Sequence, residues 1–137
     1  MIGILIVTHC QLGQGLIDAA VFILGETPAQ VLPVSIDLKE NAVKLRKRIA
    51  EAIKKVDQRH GVLILTDMFG GTPSNLSYSF LEEGRIEVLS GVNLPILIKA
   101  LNQREKVTLP VLAAELEAFG RKSISLASGI LKGNKRK

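Results

Sequence analysis

The most apolar run in the chain is Ile2-Gly3-Ile4-Leu5-Ile6-Val7-Thr8. Such an unbroken, β-branched run predicts a strand buried on both faces. Leu12 to Leu24 then places Leu12, Leu16, Ala19, Ala20 and Ile23 at helical spacing, and Gly25 offers a stop. Val31 to Ile36 reads as a second strand. Residues 40–58 carry Val43, Leu45, Ile49, Ala50, Ile53 and Val56 as a stripe opposed by basic residues, which predicts an amphipathic surface helix. Gly61 precedes a third strand over 62–66, and the loop Asp67–Thr72 leads through Pro73 into a helix ending near Leu81. A short strand is expected over 86–90, a helix from Asn93 to about Leu101, and another from Leu109 to Phe119, closed by Gly120. Beyond it, Ser123-Ile124-Ser125-Leu126-Ala127 alternates polar and apolar, a strand pattern.

Strands alternating with helices predict an α/β fold, a doubly wound, mostly parallel sheet with helices on both faces. With 137 residues the chain fits one domain, expected over 1–131. A domain of this size buries enough surface to need no disulfide or metal staple. Residues 132–137 form a basic tail expected to be disordered. No internal repeat or linker interrupts the pattern.

Composition narrows the class. No apolar run approaches the ~20 residues of a membrane helix, so membrane insertion is not expected. No basic segment precedes the first apolar run, so a secretory signal is not expected either. Cys10 is the one cysteine, which excludes an intrachain disulfide and suits a reduced, cytoplasmic setting. The net charge is +5, concentrated between Lys39 and Arg59 and in the tail. With aromatics at 4%, no Trp, and no Arg interleaved with aromatics, this charge reads as a solvated helix face rather than a nucleic-acid site.

The candidate chemistry lies at two strand ends. His9 follows the first strand and Asp67 the third, and open parallel sheets place their sites at such ends. An imidazole there could serve as base, metal ligand or nucleophile. A metal needs three or four ligands. The other histidine, His60, precedes the third strand and so belongs at the opposite end of the sheet, which argues against zinc. A carboxylate that accepts one ring N–H fixes the tautomer and frees the lone pair of the other nitrogen. Thr8 and Thr66 could add hydroxyl hydrogen bonds at the same ends.

The segment Gly70-Gly71-Thr72-Pro73-Ser74-Asn75 has the makings of an anion site. Its glycines permit close backbone approach, Thr72 suits an N-cap, and the helix start presents free N–H groups. It holds no Lys, so it is not a Walker loop. Phosphate held between this segment, His9 and Asp67 is the economical reading, with Thr66, Gly70, Gly71, Thr72, Ser74 and Asn75 as its contacts. Leu12, Met68 and Phe69 are candidates for a partner-binding surface. A dinucleotide site is disfavoured, because Asp18 stands where the third fingerprint glycine belongs. A Cys10–His9 hydrolase is disfavoured because no nucleophile elbow is present.

These residues carry a family resemblance. The opening Ile4 to His9, the segment Leu65 to Asn75, and Gly91-Val92-Asn93-Leu94-Pro95 resemble the mannose-type enzyme IIA component of the bacterial phosphoenolpyruvate-dependent sugar phosphotransferase system (PTS). The resemblance runs from Met1 to about Leu131. It implies a phosphotransferase, with a phosphohistidine on Nε2 of His9 and a ring positioned by Asp67. It implies phospho-HPr as donor and a histidine of a separate IIB component as acceptor. It also implies a cytoplasmic homodimer, associated with membrane PTS components, in which a C-terminal antiparallel strand joins the edge of a sheet; Ser123–Ala127 suits that role. No cofactor is implied, and no acidic cluster is present to hold Mg²⁺. A stand-alone regulatory or ligand-sensing domain is the alternative. The family usually has Gly after its histidine, where this chain has Cys10.

Overall fold

The computed structural model describes residues 1–132. Four strands, β1 (Gly3–His9), β2 (Val31–Ile36), β3 (Val62–Thr66) and β4 (Ile86–Ser90), pair in the order β2-β1-β3-β4, and every ladder is parallel. Three helices connect them in turn: α1 (Leu12–Leu24), α2 (Ala42–Val56) and α3 (Thr72–Tyr78). They are followed by α4 (Leu94–Gln103), α5 (Leu109–Lys122) and the short α6 (Ala127–Leu131).

β1 and β3 are central, which explains their unbroken apolar sequences. Successive side chains point to opposite faces. Ile2, Ile4, Ile6, Leu63 and Leu65 pack with α1, α4 and α5. Leu5, Val7, Val62 and Ile64 pack on the other face with Leu45, Ile49, Ile53 and Val56 of α2. A slip of one residue would exchange the two sets, so burial on both sides fixes the register. Gly3 is required by a close approach, since a Cβ there would lie 2.3 Å from the Val56 carbonyl oxygen. α2 is capped by Asn41, whose side chain accepts from the Lys44 N–H, a contact worth about 1 kcal/mol.

The order of the strands sets the position of the site. α1 carries the chain from β1 to β2, and α2 carries it back across β1 to β3. The direction of winding therefore reverses between β1 and β3. Open α/β sheets bind ligands outside the carboxyl ends at such a point. His9 and Asp67 flank it.

Two expectations need correction. Gly120 does not close α5, which runs on to Lys122. A Cβ at Gly120 would lie 2.6 Å from Ile96 Cδ1, so this glycine lets α5 approach α4 closely. Ser123–Ala127 is not an antiparallel edge strand: residues 124–126 have no regular structure, and Ala127 opens α6. A strand is held by its ladder partner. Among the described residues no strand pairs with this segment, and its Ile124 and Leu126 remain exposed. Of the expected tail 132–137, Lys132 ends α6, and the rest lies outside the described residues.

Candidate functional site

His9 ends β1, and Asp67 directly follows β3, its neighbour in the sheet. Two bonds from His9 converge on one carboxylate oxygen. The backbone N–H of His9 donates to Asp67 Oδ2 at 2.8 Å, and ring Nδ1 lies 2.7 Å from the same atom. The other oxygen, Oδ1, accepts from the Met68 N–H at 2.9 Å. Partial burial raises the carboxyl's pKa. The bonds from the His9 backbone and ring, the ring's charge and the Met68 N–H outweigh it, so the pKa lies below the usual 3.8. Asp67 is therefore ionised near neutral pH and has no proton to give. Nδ1 must carry the shared proton, which leaves the lone pair on Nε2. The His9 side chain is 37% exposed and that of Asp67 10%, so the anchor is shielded while the ring stays reachable.

The loop Met68–Gly71 lies against the ring's reactive edge. A Cβ on Gly71 would stand 3.0 Å from His9 Cε1, closer than ordinary contact, and 3.5 Å from Nε2. Gly70 has φ +86, a backbone conformation that glycine adopts without strain. The N–H groups of Phe69, Gly70, Gly71, Thr72 and Ser74 make no hydrogen bond to any described residue. Open backbone donors beside a nucleophilic nitrogen favour an anion. The cap of α3 is Gly71 rather than Thr72, which is the first helical residue, with Pro73 next.

The remaining candidates divide by exposure. Thr72 and Asn75 are exposed. The hydroxyls of Thr66 and Ser74 are fully buried and lie 2.7 Å from each other, and Ser74 also donates to the Met68 carbonyl. These two side chains hold the loop from beneath. Leu12, Met68 and Phe69 are exposed at 50%, 55% and 79%, as surface residues around the site would be. Thr8 Oγ1 accepts from the Gly13 N–H at 2.9 Å and fastens the start of α1.

Cys10 stands at φ +51, in the left-handed region. A non-glycine residue there costs about 1–2 kcal/mol. This is the physical reason a glycine suits the position after the histidine. Sequence reasoning missed Ser90, whose hydroxyl bonds both Thr66 and Ser74, and Tyr78, whose hydroxyl bonds Ser90. The usable clue was a polar residue ending β4 as Thr66 ends β3.

His60 is exposed at the amino ends of the strands, as expected. It lines a cavity of about 1090 Å³, together with Arg59, Arg85 and Arg104, away from His9. Among the described residues no cluster of three or more His, Cys, Asp or Glu is placed to hold a metal ion. No described helix is long and apolar enough to cross a membrane.

Residues 3–117 match the family model EIIA-man, described as PTS system fructose IIA component. The chain is 34% identical to the PTS system fructose-specific EIIA component of Bacillus subtilis, over 93% of this chain and 88% of that one. It is also 34% identical to the mannose-specific EIIAB component of Escherichia coli, over 76% of this chain but only 32% of that longer protein. Among solved structures, EIIA from Streptococcus agalactiae superposes with a TM-score of 0.83 at 26% identity, covering 93% of this chain and 98% of that one. The IIA protein associated with the fucose utilization operon of Streptococcus pneumoniae gives 0.82 at 26% identity, covering 94% and 95%. With the family model matched over most of its length, the chain belongs to the mannose/fructose/sorbose-type EIIA components of the sugar phosphotransferase system.

Proposed function

We propose that His9 is the phosphoryl acceptor, taking phosphate on Nε2 from phospho-HPr and passing it to a histidine of a IIB component. The observation that carries this reading is the 2.7 Å bond between Nδ1 and an ionised Asp67, with Gly71 beside the free Nε2 edge. The Nε2 lone pair attacks phosphorus in line with the donor's P–N bond. The new P–N bond forms as the old one breaks, and the donor imidazole leaves with that bond's electron pair. Bonding at Nε2 puts positive charge on the ring, whose Nδ1–H faces the Asp67 carboxylate. In the second step the IIB imidazole attacks the same phosphorus, and His9 leaves as a neutral ring.

The transition state spreads negative charge over three equatorial oxygens, so positioning and electrostatics do most of the work. The open N–H groups of Phe69, Gly70, Gly71 and Thr72 supply donors for those oxygens. Leu12, Met68 and Phe69 form the apolar part of the surface that meets donor and acceptor. The chain would work in the cytoplasm beside membrane PTS components. Exposed Ile124, Leu126 and Leu131 suit the contact of a homodimer, which sedimentation would detect.

The test is incubation with phosphoenolpyruvate, enzyme I and HPr, followed by intact mass measurement. One acid-labile phosphoryl group per chain is expected, and none in His9→Ala. Absence of label, or label persisting in His9→Ala, overturns the reading.

A further inference from the structure

Beneath the Met68–Gly71 loop four hydroxyls from three elements meet. Thr66 Oγ1, at the end of β3, lies 2.7 Å from Ser74 Oγ of α3 and donates to Ser90 Oγ, at the end of β4, at 2.9 Å. Ser90 Oγ lies 3.2 Å from Ser74 Oγ and 3.0 Å from Tyr78 Oη. Ser74 in turn donates to the Met68 carbonyl oxygen. The donor count gives the chain a direction. A carbonyl has no proton, so the Ser74 proton is committed to Met68. Ser74 can then only accept: Thr66 and Tyr78 donate to Ser90, and Ser90 passes its own proton on to Ser74. The network ends on a single peptide group.

That peptide group controls the loop. It is planar and trans, so fixing the Met68 carbonyl also fixes the Phe69 N–H, which points to the opposite side from Ser74. The Phe69 N–H is the first of the open donors, and two residues later Gly71 stands against the ring. The Phe69 ring also lies 6.2 Å from that of Tyr78, a second tie between the loop and the network. Met68 meanwhile donates its own N–H to Asp67. A loop held at one carbonyl from below and one N–H from the side keeps little freedom to leave His9.

We infer that Ser90 and Tyr78 are positioning residues for phosphoryl transfer, acting through Ser74 and the Met68 carbonyl to hold the open N–H groups and Gly71 against the reactive edge of His9. The inference rests on the phosphocarrier reading and adds to it two residues that touch neither His9 nor a bound phosphoryl group. Low-dielectric surroundings raise the stakes of such a network. Thr66 and Ser74 are fully buried, so losing one member leaves others without partners.

The experiment measures single-turnover phosphorylation of His9 by phospho-HPr at increasing donor concentration in wild type, Ser90→Ala, Tyr78→Phe, Ser90→Thr and Ser79→Ala. Ser79 is an exposed hydroxyl on the same stretch of chain that bonds Arg46 and the Leu76 carbonyl, outside the network. Ser90→Ala and Tyr78→Phe should lower the limiting rate constant several-fold while leaving the half-saturating donor concentration unchanged. Their Phe69, Gly70 and Gly71 amide resonances should shift or broaden. Ser90→Thr, which keeps the hydroxyl, should recover most of the rate, and Ser79→Ala should match wild type. A wild-type limiting rate in Ser90→Ala with unmoved loop amides overturns the inference. So does a loss that Ser79→Ala reproduces. If wild type itself takes no label on His9, the phosphocarrier reading falls, and the inference falls with it.

Discussion

Gly71→Ala isolates the close fit between loop and histidine. The backbone at Gly71 has φ −87 and ψ 171, an extended conformation open to alanine, so the substitution brings no backbone strain. It also keeps the N–H. What it adds is one methyl group, 3.0 Å from His9 Cε1 and 3.5 Å from both Nε2 and Met68 Cγ. Ordinary contact begins near 3.4 Å, so ring and loop must part by about 0.4 Å. The ring cannot yield freely, because Nδ1 is tethered to Asp67 at 2.7 Å. A misplacement of ~1 Å at a reacting centre costs on the order of 100-fold in rate, so 0.4 Å predicts a loss of about 5- to 10-fold, or ~1 kcal/mol. Rapid-quench phosphorylation by phospho-HPr reads this directly. Thermal melting should stay near wild type, since the methyl enters the partly exposed space beside the loop rather than the core. A wild-type rate would refute the placement of the loop against the ring.

Asp67→Asn should slow transfer by about 10-fold or more, because a charged partner becomes a neutral one whose bond is weaker by ~1–2 kcal/mol. Its folded carboxyl pKa is lowered, so the ionised group adds stability above its ordinary 3.8 and loses it as pH falls through the lower folded value. Urea unfolding should therefore show a gap between wild type and Asp67→Asn that is full at neutral pH and closes only below about pH 4. A gap that closed on raising the pH would contradict the hydrogen bonding at this carboxylate. Cys10→Gly should stabilise the protein by up to about 1 kcal/mol, the strain at φ +51 being partly offset by the greater freedom of an unfolded glycine; chemical denaturation checks this, and destabilisation would speak against the left-handed conformation. Gly3→Ala should destabilise by about 2 kcal/mol or more, since its Cβ meets a backbone oxygen at 2.3 Å that cannot swing aside; an unchanged unfolding midpoint would mean α2 does not end against β1.

Much of the architecture was legible because the central strands are buried on both faces. β1 and β3 needed no alternation to be recognised, and the capped turn at Gly71-Thr72-Pro73 marked a helix start beside a strand end. His9 and Asp67 were legible for the same reason, as chemistry-bearing residues at the ends of such strands. Ser123–Ala127 misled because alternation describes a strand's faces and not its partner. Gly120 misled because glycine marks both helix ends and close helix contacts. Ser90 and Tyr78 were illegible because their role depends on β4 lying beside β3, with Ser90 level with Thr66. The conformation of Cys10 follows from the turn between β1 and α1, and no residue pattern around it announces a left-handed turn.

Phosphorus NMR of the protein charged by phosphoenolpyruvate, enzyme I and HPr locates the phosphoryl group on the ring itself. A phosphohistidine at Nε2 of His9 is the expected result, because Asp67 holds Nδ1. Phosphate on Nδ1, on another residue, or nowhere would contradict it.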